Sequence, residues 1–369
     1  MSIVRPDCRA IAVSSVELSG VENHIALFCL TPGGVVLAQR LQPHLAMDCF
    51  TSIALITAGF APFNQSFANS LRQAFGHYKQ LIVIGATGIT VRALAPVIND
   101  KLSDAAVVVL DEQGQFAISL LSGHIGGANA LARQIADILG GQAVITTATD
   151  VNQIASLDML AQQVDGSIAD FRHSVKTVNQ MLVSGKKVGI WWHPALAAEK
   201  ARYDTKGFIT VDDLRGLPEL DALVYVSYQQ ATPMLNIPVF KLVPRRVVVG
   251  IGCRRGVDPT LLAQILTTQL TENDFDPLSL KTIGSVELKK DEVALIQLSL
   301  ERNVPFQTFS IHEIAEFEHH FPNSDFVRKT IGIGCVSQPV AWLLSDGHLV
   351  GRTLKQQGVT MTLGVTQQC

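Results

Sequence analysis

Short apolar runs recur along the first half of the chain, and a polar or glycine-containing turn follows each of them. The runs that predict buried strands are Ile25–Leu30, Leu81–Ile84, Val107–Leu110 and Phe116–Leu121. The segments between them predict helices, among them one that begins near Thr31–Gly34 and one that carries Arg92. Buried strands that alternate with helices are typical of a mostly parallel sheet with helices on its faces, so the pattern predicts an α/β fold.

Three polar segments follow predicted strands of this sheet: Gly85–Arg92, Ser122–Asn129 and Thr146–Asp150. Functional loops of such sheets lie at the carboxyl ends of the strands. We therefore expect the three segments to converge on one rim. Asp111–Gly114, between the last two of the apolar runs, predicts a hairpin-like turn or a short loop.

The pattern becomes mainly helical after Asp150. We expect helices over 157–164 and 168–183 and a strand over 187–192. Pro233, Pro238 and Pro244 then punctuate a segment that is typical of a linker.

A second set of strand and helix signals fills the end of the chain. We expect a strand over 247–251, a helix from Pro259 with Asp258 as its N-cap, and a terminal pair of strands around Gln356–Gly358. The predicted organisation is an N-terminal α/β domain over 1–150 with glycine-rich strand–helix turns, a middle α/β unit over 151–240, and a separate, smaller α/β domain over 245–369.

Composition narrows the class of protein. Of the 369 residues, 47% are hydrophobic and 17% are charged, and the net charge of -3 gives no sign of a nucleic-acid-binding surface. No uninterrupted apolar run reaches the ~18 residues of a membrane span, and Met1–Asp7 lacks the apolar core of a secretory signal. The six cysteines are dispersed without a Cys-x-x-Cys pair, which argues against a structural zinc site and a disulfide framework. We expect a soluble protein of the reducing cytoplasm.

The glycine-rich turn Ser122–Asn129 is the strongest candidate site. It joins a predicted strand to a predicted helix, and it contains His124, Gly126 and Gly127. The start of a helix offers N–H donors and the positive end of the dipole, which suit a carboxylate or a developing oxyanion. The alternative is structural: glycines there also allow tight geometry and close helix–sheet packing.

Two cationic segments are candidate anion sites. Gly252–Gly256 places Arg254 and Arg255 at a strand end, where paired guanidinium groups suit carboxylates. Lys289 and Glu292 lie at a predicted helix start. The alternatives are a solvated turn for the arginines and a solvated helix cap for Lys289–Glu292.

Several familiar site types are not supported by the sequence. Gly252–Gly256 lacks the Gly-Lys-Ser/Thr ending of a phosphate loop, and no intact Gly-x-Gly-x-x-Gly with an acidic partner is present. Ser122 and His124 lie close together, but the Gly-x-Ser-x-Gly elbow of a serine nucleophile is missing. A water nucleophile activated by His124 fits the pattern better.

These motifs together resemble one family, the cobalt-precorrin-5A hydrolases of anaerobic cobalamin biosynthesis, known as CbiG. The C-terminal part is similar to the stand-alone CobE protein of the aerobic pathway. The segments that carry the resemblance are Leu27–Gly34, Gly85–Arg92, Leu120–Asn129, Val144–Asp150, Gly250–Gly256, Ser285–Glu292 and Phe326–Lys329. They occur in collinear order over nearly the whole chain.

The resemblance implies a reaction and a substrate. The substrate is a cobalt-containing corrinoid with a δ-lactone, which water opens, and a two-carbon fragment then leaves as acetaldehyde to give cobalt-precorrin-5B. No separate cofactor is implied, because cobalt arrives within the substrate. The implied partners are this small molecule and, transiently, neighbouring enzymes of the pathway, with no nucleic acid and no membrane.

The implied chemistry assigns roles to the candidate residues. Opening the lactone needs a base and oxyanion donors, and loss of the fragment needs proton transfer at the macrocycle. We expect His124 and Glu292 to be the catalytic groups. The residues expected to bind the carboxylated substrate are Arg92, Ser122, Gly126, Gly127, Asn129, Asp150, Arg254, Arg255 and Lys289.

Two other functions remain open at this point. The chain is alternatively a corrinoid-binding or carrier protein without catalysis, in which the N-terminal turn is structural. It is also compatible with a phosphate- or nucleotide-binding α/β enzyme that uses the same glycine turns, although the missing signatures weigh against that function.

Overall fold

The computed structural model describes residues 24–367. Met1–Asp7, Cys8 and Cys369, on which part of the sequence argument depends, lie outside the described residues. The chain forms two compact units with their boundary between Thr146 and Thr147. The first unit contains one seven-stranded sheet and the second contains two five-stranded sheets. The predicted class, mostly parallel sheets flanked by helices with a separate C-terminal α/β domain, is confirmed.

The sheet of the first unit has the strand order β3-β2-β1-β4-β5-β6-β7. Its strands are β1 Ile25–Cys29, β2 Met47–Thr51, β3 Phe60–Pro62, β4 Gln80–Ile84, β5 Ala106–Leu110, β6 Phe116–Leu121 and β7 Gln142–Val144. Its helices are α1 Pro32–Leu41, α2 Phe67–Phe75, α3 Thr87–Leu94 and α4 Ala128–Leu139. Helices α1 and α4 pack on one face and α2 and α3 on the other, so the central strands are buried on both faces.

The hairpin between β5 and β6 reverses the direction of the last two strands. β5 pairs antiparallel with β6, whereas the pairs among β1 to β5 are parallel. Burial alone would raise the pKa of Asp111 in this turn, but N–H groups, among them those of Phe116 at 2.6 Å and Gln113 at 2.9 Å, donate to its carboxylate and the net pKa is lowered. The predicted hairpin is therefore present.

This reversal makes the expectation of a single rim wrong for one of the three segments, Gly85–Arg92. Gly85–Arg92 follows β4 and lies at the carboxyl edge of the parallel strands, whereas Ser122–Asn129 follows the reversed β6 and lies at the opposite edge. The hydroxyl of Ser122 donates to the carbonyl of Asp104, just before β5 begins, at 3.0 Å. β7 pairs parallel with β6, so the third segment begins at the same edge as Ser122–Asn129. The loop after β4 lies at the other end of the strands.

The first sheet of the second unit has the order β10-β9-β11-β12-β8. Its strands are β8 Gly166–Ile168, β9 Val188–Trp192, β10 Ile209–Val211, β11 Ala222–Val226 and β12 Val239–Pro244, and the helices of this region are α5 Ala148–Val151, α6 Leu157–Gln163 and α7 Phe171–Val183. The predicted linker is wrong over its last six residues, because Val239–Pro244 forms β12 between β11 and β8. The helix expected over 168–183 begins three residues later, at Phe171, because Ile168 ends β8.

The second sheet of this unit has the order β15-β14-β13-β17-β16. Its strands are β13 Val247–Cys253, β14 Leu280–Val286, β15 Phe306–Phe309, β16 Leu349–Gln356 and β17 Val359–Val365. Its helices are α8 Pro259–Glu272, α9 Val293–Arg302, α10 Ile311–Phe317, α11 Asp325–Ile331 and α12 Ser337–Leu344. The predicted Asp258 cap is confirmed, since its side chain accepts from the N–H of Thr260.

Buried ion pairs join the two sheets of the second unit. Arg246, which precedes β13 and is 1% exposed, donates to the Glu199 carboxylate at 2.9 Å and to the carbonyl of Val164 at 3.3 Å. Lys241 of β12 pairs with Asp276 at 2.7 Å. These contacts fix the middle region against the start of the C-terminal sheet.

Helix α12 lies close to the C-terminal sheet because three glycines face it. A Cβ atom at Gly250 of β13 would lie 2.6 Å from the backbone nitrogen of Ala341. A Cβ at Gly284 would meet Val340 at 2.6 Å, and one at Gly364 would meet the Ser345 hydroxyl at 2.6 Å. We call Gly250, Gly284 and Gly364 the glycine platform.

Candidate functional site

A cavity of about 840 Å³ opens in the C-terminal sheet domain, at the carboxyl ends of β13 and β14. We call it the C-terminal cavity. Its apolar lining comes from β14, α11, the start of α12 and β17, namely Val286, Val327, Ile331, Val336 and Val359. Four cationic residues also line it, Arg254, Arg255, Lys289 and Lys355, and no aspartate or glutamate of the described chain does. An apolar wall with cationic groups suits a flat apolar molecule that carries carboxylates.

The cavity brings together three residues that the sequence predicted, Arg254, Arg255 and Lys289. Sequence reasoning missed Lys355, which lies on β16 and reaches the cavity because β16 pairs with β17. The predicted terminal pair of strands could have indicated the position of Lys355. Alternation along such a strand puts Lys355 on the same face as Thr353, which also lines the cavity.

Lys289 and Glu292 form a buried pair beside the cavity. The Lys289 ammonium lies 3.0 Å from the Glu292 carboxylate, which also accepts from the N–H of Gly256 at 2.9 Å. Glu292 is 5% exposed and is not among the residues that line the cavity. The segment is therefore a packed junction between the β13 turn and the start of α9, not a solvated helix cap.

Arg255 has an acidic partner as well. Its guanidinium lies 3.4 Å from Asp291 and donates to the carbonyl of Leu288 at 3.0 Å. The pKa of Asp291 is lowered, first by a hydrogen bond from its own backbone N–H and then by the charge of Arg255. Two of the four cavity cations are thus partly neutralised by carboxylates.

Two thiols face the C-terminal cavity, Cys253 and Cys335. Burial raises the pKa of each thiol to about 11. Since the thiolate is the nucleophilic form, neither group is an effective nucleophile near neutral pH. In the part of the chain that the structure describes, no cluster of three or more potential metal ligands occurs.

The Ser122–Asn129 turn is closed by its own backbone and side chains. Ser122 has a left-handed φ of 54°. Asn129 is 4% exposed, and its side-chain oxygen accepts from the hydroxyl of Ser119 at 2.7 Å. A Cβ on Gly126 would lie 2.5 Å from that of Ser122, so a tight turn requires glycine at this position.

Most of the amides expected to face a ligand are used within the turn. The N–H groups of Gly127, Ala128 and Asn129 donate to the carbonyls of His124, Ser122 and Gly123 at 2.9, 3.2 and 2.9 Å. Those of Ile125 and Gly126 donate to no acceptor among residues 24–367. The donors available to an oxyanion therefore lie at the apex of the turn, next to the half-buried His124, and not at the first residues of α4.

Arg92 lies away from this turn. The Arg92 guanidinium folds back to the carbonyl of Gly88 at 3.2 Å, at the opposite edge of the sheet. Asp150 lies in α5, which is part of the second unit.

Of the residues described, no helix is both long and apolar enough to cross a membrane.

Comparison with known proteins assigns the family. Three family models match in chain order: Cobalamin synthesis G N-terminal over residues 69–150, Cobalamin biosynthesis central region over 155–238, and Cobalamin synthesis G C-terminus over 247–364. The chain is 60% identical to the Cobalt-precorrin-5A hydrolase of Salmonella typhimurium over 341 residues, which cover 92% of this chain and 97% of that protein.

Two solved structures are also similar. A cobalamin biosynthesis protein G homologue from Sulfolobus solfataricus matches with 17% identity and a TM-score of 0.37 over 93% of this chain and 97% of its own. CobE of the cobalamin pathway matches with 23% identity and a TM-score of 0.32 over 34% of this chain and 93% of its own. Given the collinear family models and the near-complete match at 60% identity, the chain belongs to the cobalt-precorrin-5A hydrolase (CbiG) family.

Proposed function

We propose that this protein is a cobalt-precorrin-5A hydrolase. The observation that carries the proposal is the 60% identity to the Salmonella hydrolase over 97% of that protein's length. Water opens the δ-lactone of the substrate, the two-carbon fragment leaves as acetaldehyde, and cobalt-precorrin-5B remains. Cobalt is part of the substrate, and the protein supplies binding and proton transfer without a separate cofactor.

The C-terminal cavity supports a corrinoid as the bound molecule. Its volume of about 840 Å³ lies in the upper part of the ~300–1,000 Å³ typical of small-molecule sites. Apolar side chains suit the face of the macrocycle, and the cationic side chains suit its acetate and propionate arms. The lining has no carboxylate of the described chain to repel those arms.

The reaction needs several proton transfers, which the chain's own groups can perform. Addition of water to the lactone carbonyl requires a base, and collapse of the adduct breaks the ring C–O bond to give a carboxylate and an alcohol. Loss of the alcohol proton then lets the carbon–carbon bond to the macrocycle break. Acetaldehyde departs, and the electron pair stays on the macrocycle, where it takes up a proton.

We assign the base to His124. Its imidazole is half-buried, and histidine is the side-chain type best suited to act as a base in this pH range. The N–H groups of Ile125 and Gly126 in the same turn are suited to a developing oxyanion. For Glu292, the buried contacts with Lys289 and Gly256 favour a positioning role over proton transfer.

The test is anaerobic incubation of the purified protein with cobalt-precorrin-5A, with acetaldehyde trapped and the corrinoid weighed by mass spectrometry. We expect acetaldehyde and a corrinoid that has lost that fragment and gained one water. His124→Gln is expected to lower kcat at least a hundredfold, in line with general base catalysis. His77→Gln, at an exposed histidine of the same unit, is the control and is expected to keep full activity.

Two results would contradict these assignments. Near-normal turnover by His124→Gln would remove the histidine from the mechanism. Unchanged substrate that stays bound to the protein would favour the carrier function, which no present observation supports over the hydrolase.

We also infer a reducing cytoplasmic location, because Cys29, Cys49, Cys253 and Cys335 are free thiols.

A further inference from the structure

The four cations of the C-terminal cavity differ in their partners. Arg255 and Lys289 each have a carboxylate within ion-pair distance, Asp291 and Glu292 respectively. The side chains of Arg254 and Lys355 donate to no acceptor in the described range 24–367. An incoming carboxylate therefore meets two uncompensated charges and two that already have a partner.

Strand order brings the two unpaired cations to the same part of the cavity. Arg254 directly follows Cys253, which pairs with Val359 of β17, and Lys355 of β16 pairs with the next residue of β17, Thr360. The two cations thus flank β17 from either side, about 10 Å apart at their backbones if strands are spaced by ~4.8 Å. The N–H of Arg254 donates to the carbonyl of Gly358 at 3.1 Å, which ties its backbone to the β16–β17 turn.

We propose that Arg254 and Lys355 bind peripheral carboxylates of the corrinoid and hold it in the C-terminal cavity, an inference that rests on the proposed function. Arg255 and Lys289 instead stabilise the walls of the site through their ion pairs with Asp291 and Glu292. The charge of Lys289 is already compensated by the buried Glu292, so a substrate carboxylate bound there would gain less and would lie near a second carboxylate. Arg254 and Lys355 give up only water when they bind a carboxylate.

The experiment measures the equilibrium binding of dicyanocobyrinic acid, a corrinoid with free carboxylate arms, by corrin absorbance. We expect Arg254→Gln and Lys355→Gln each to weaken binding roughly tenfold or more, because each removes a charge-assisted hydrogen bond. Arg352→Gln, on the same strand as Lys355 but outside the cavity lining, is the matched control and is expected to leave binding unchanged.

A second ligand separates charge recognition from general packing. The heptamethyl ester of dicyanocobyrinic acid has the same macrocycle without the negative charges. We expect it to bind the parent protein, Arg254→Gln and Lys355→Gln with similar affinity. If both variants lose affinity for the ester as much as for the acid, the two residues shape the cavity and do not bind carboxylates, and the proposal is overturned.

Arg255→Gln tests the distinction between paired and unpaired cations. We expect it to change the binding of dicyanocobyrinic acid by less than about threefold, as for an exposed ion pair. A loss as large as that of Lys355→Gln would overturn the proposal. If the parent protein releases acetaldehyde but Lys355→Gln and Arg254→Gln bind the acid as the parent does, the proposal for these two residues fails and the proposed hydrolase function stands.

If the parent protein releases no acetaldehyde but both variants lose affinity for the acid alone, the hydrolase function fails and the proposal for the two residues stands.

Discussion

Glu292 shows how a side chain can serve a site without lining it, through its pair with Lys289. Their carboxylate and ammonium are buried and 3.0 Å apart, and the carboxylate also holds the N–H of Gly256 in the turn that carries Arg254 and Arg255. The pair therefore positions the cationic turn relative to the start of α9. A residue with this environment is expected to affect stability more than chemistry.

Replacing Glu292 by glutamine should reveal that difference. We expect Glu292→Gln to lower the free energy of unfolding by about 3–5 kcal/mol, the usual cost of leaving a buried charge without its partner. Urea denaturation measures this loss, and Asp291→Asn, in the exposed pair with Arg255, is the control with an expected loss below about 1 kcal/mol. If Glu292→Gln instead keeps full stability and loses turnover at low temperature, Glu292 takes part in proton transfer.

Residue chemistry in the C-terminal cavity was largely predictable from local sequence. Arg254, Arg255 and Lys289 stand out because they follow strands, next to glycines or at a helix start. Lys355 does not, because its place in the cavity depends on which strand β16 pairs with, and that pairing joins residues without any local motif. The use of the Gly127 and Asn129 amides within their own turn was equally hidden, since it depends on how tightly the backbone folds back.

At the level of elements, the most accurate predictions were those in which the hydrophobic pattern and the capping residues indicate the same boundary. α1, α4 and α8 begin close to the predicted residues, and Thr31 and Asp258 supply the N-terminal caps of α1 and α8. β8 has only three residues, which lie in the gap between two predicted helices and at the first residue of the second, and it was not predicted. β12 was taken for a linker because of its prolines, but Pro244 lies at the end of the strand, where a missing N–H costs little.

The junction between β12, β13 and the middle region depends on one buried guanidinium. We expect Arg246→Met to lower the free energy of unfolding by about 3–5 kcal/mol, because it leaves Glu199 buried without its cation. The double variant Arg246→Met/Glu199→Gln is expected to recover part of that loss. Chemical denaturation of both single variants and the double variant measures the coupling. If the loss of stability in the double variant equals the sum of the losses in the two single variants, the pair is not coupled.

For the whole molecule, buried thiols and a buried tyrosine affect how stability changes at alkaline pH. Burial raises the pKa of Cys253 and Cys335 to about 11 and that of Cys49 to about 12, from an ordinary value of 9.0. Burial also raises the pKa of Tyr78, with a further contribution from Asp48. The folded chain therefore keeps protons that the unfolded chain releases above about pH 9.

Stability is consequently expected to fall as the pH rises. The contribution of these thiols is fully present below pH 9, the unfolded value, and is lost progressively through pH 11 and 12, the folded values. Denaturation under reducing conditions at pH 7.5, 9 and 10.5 measures the trend. The variant Cys253→Ala/Cys335→Ala should show a shallower decline, whereas an identical decline would mean that other groups are responsible.

The glycine platform has a consequence for how relatives of this protein can diverge. A Cβ at Gly250 would overlap backbone atoms of α12, so a side chain gained there must be accompanied by a shift of the helix. At Gly284 and Gly364 the overlapping atoms belong to the side chains of Val340, Leu344 and Ser345, which would have to change instead. A shift of the helix would also move Ser337 at its first turn, which lines the cavity. We therefore expect substitutions at the three glycines to co-vary with positions 340, 341 and 345 across evolution, and their retention to record the shape of the pocket and not its chemistry.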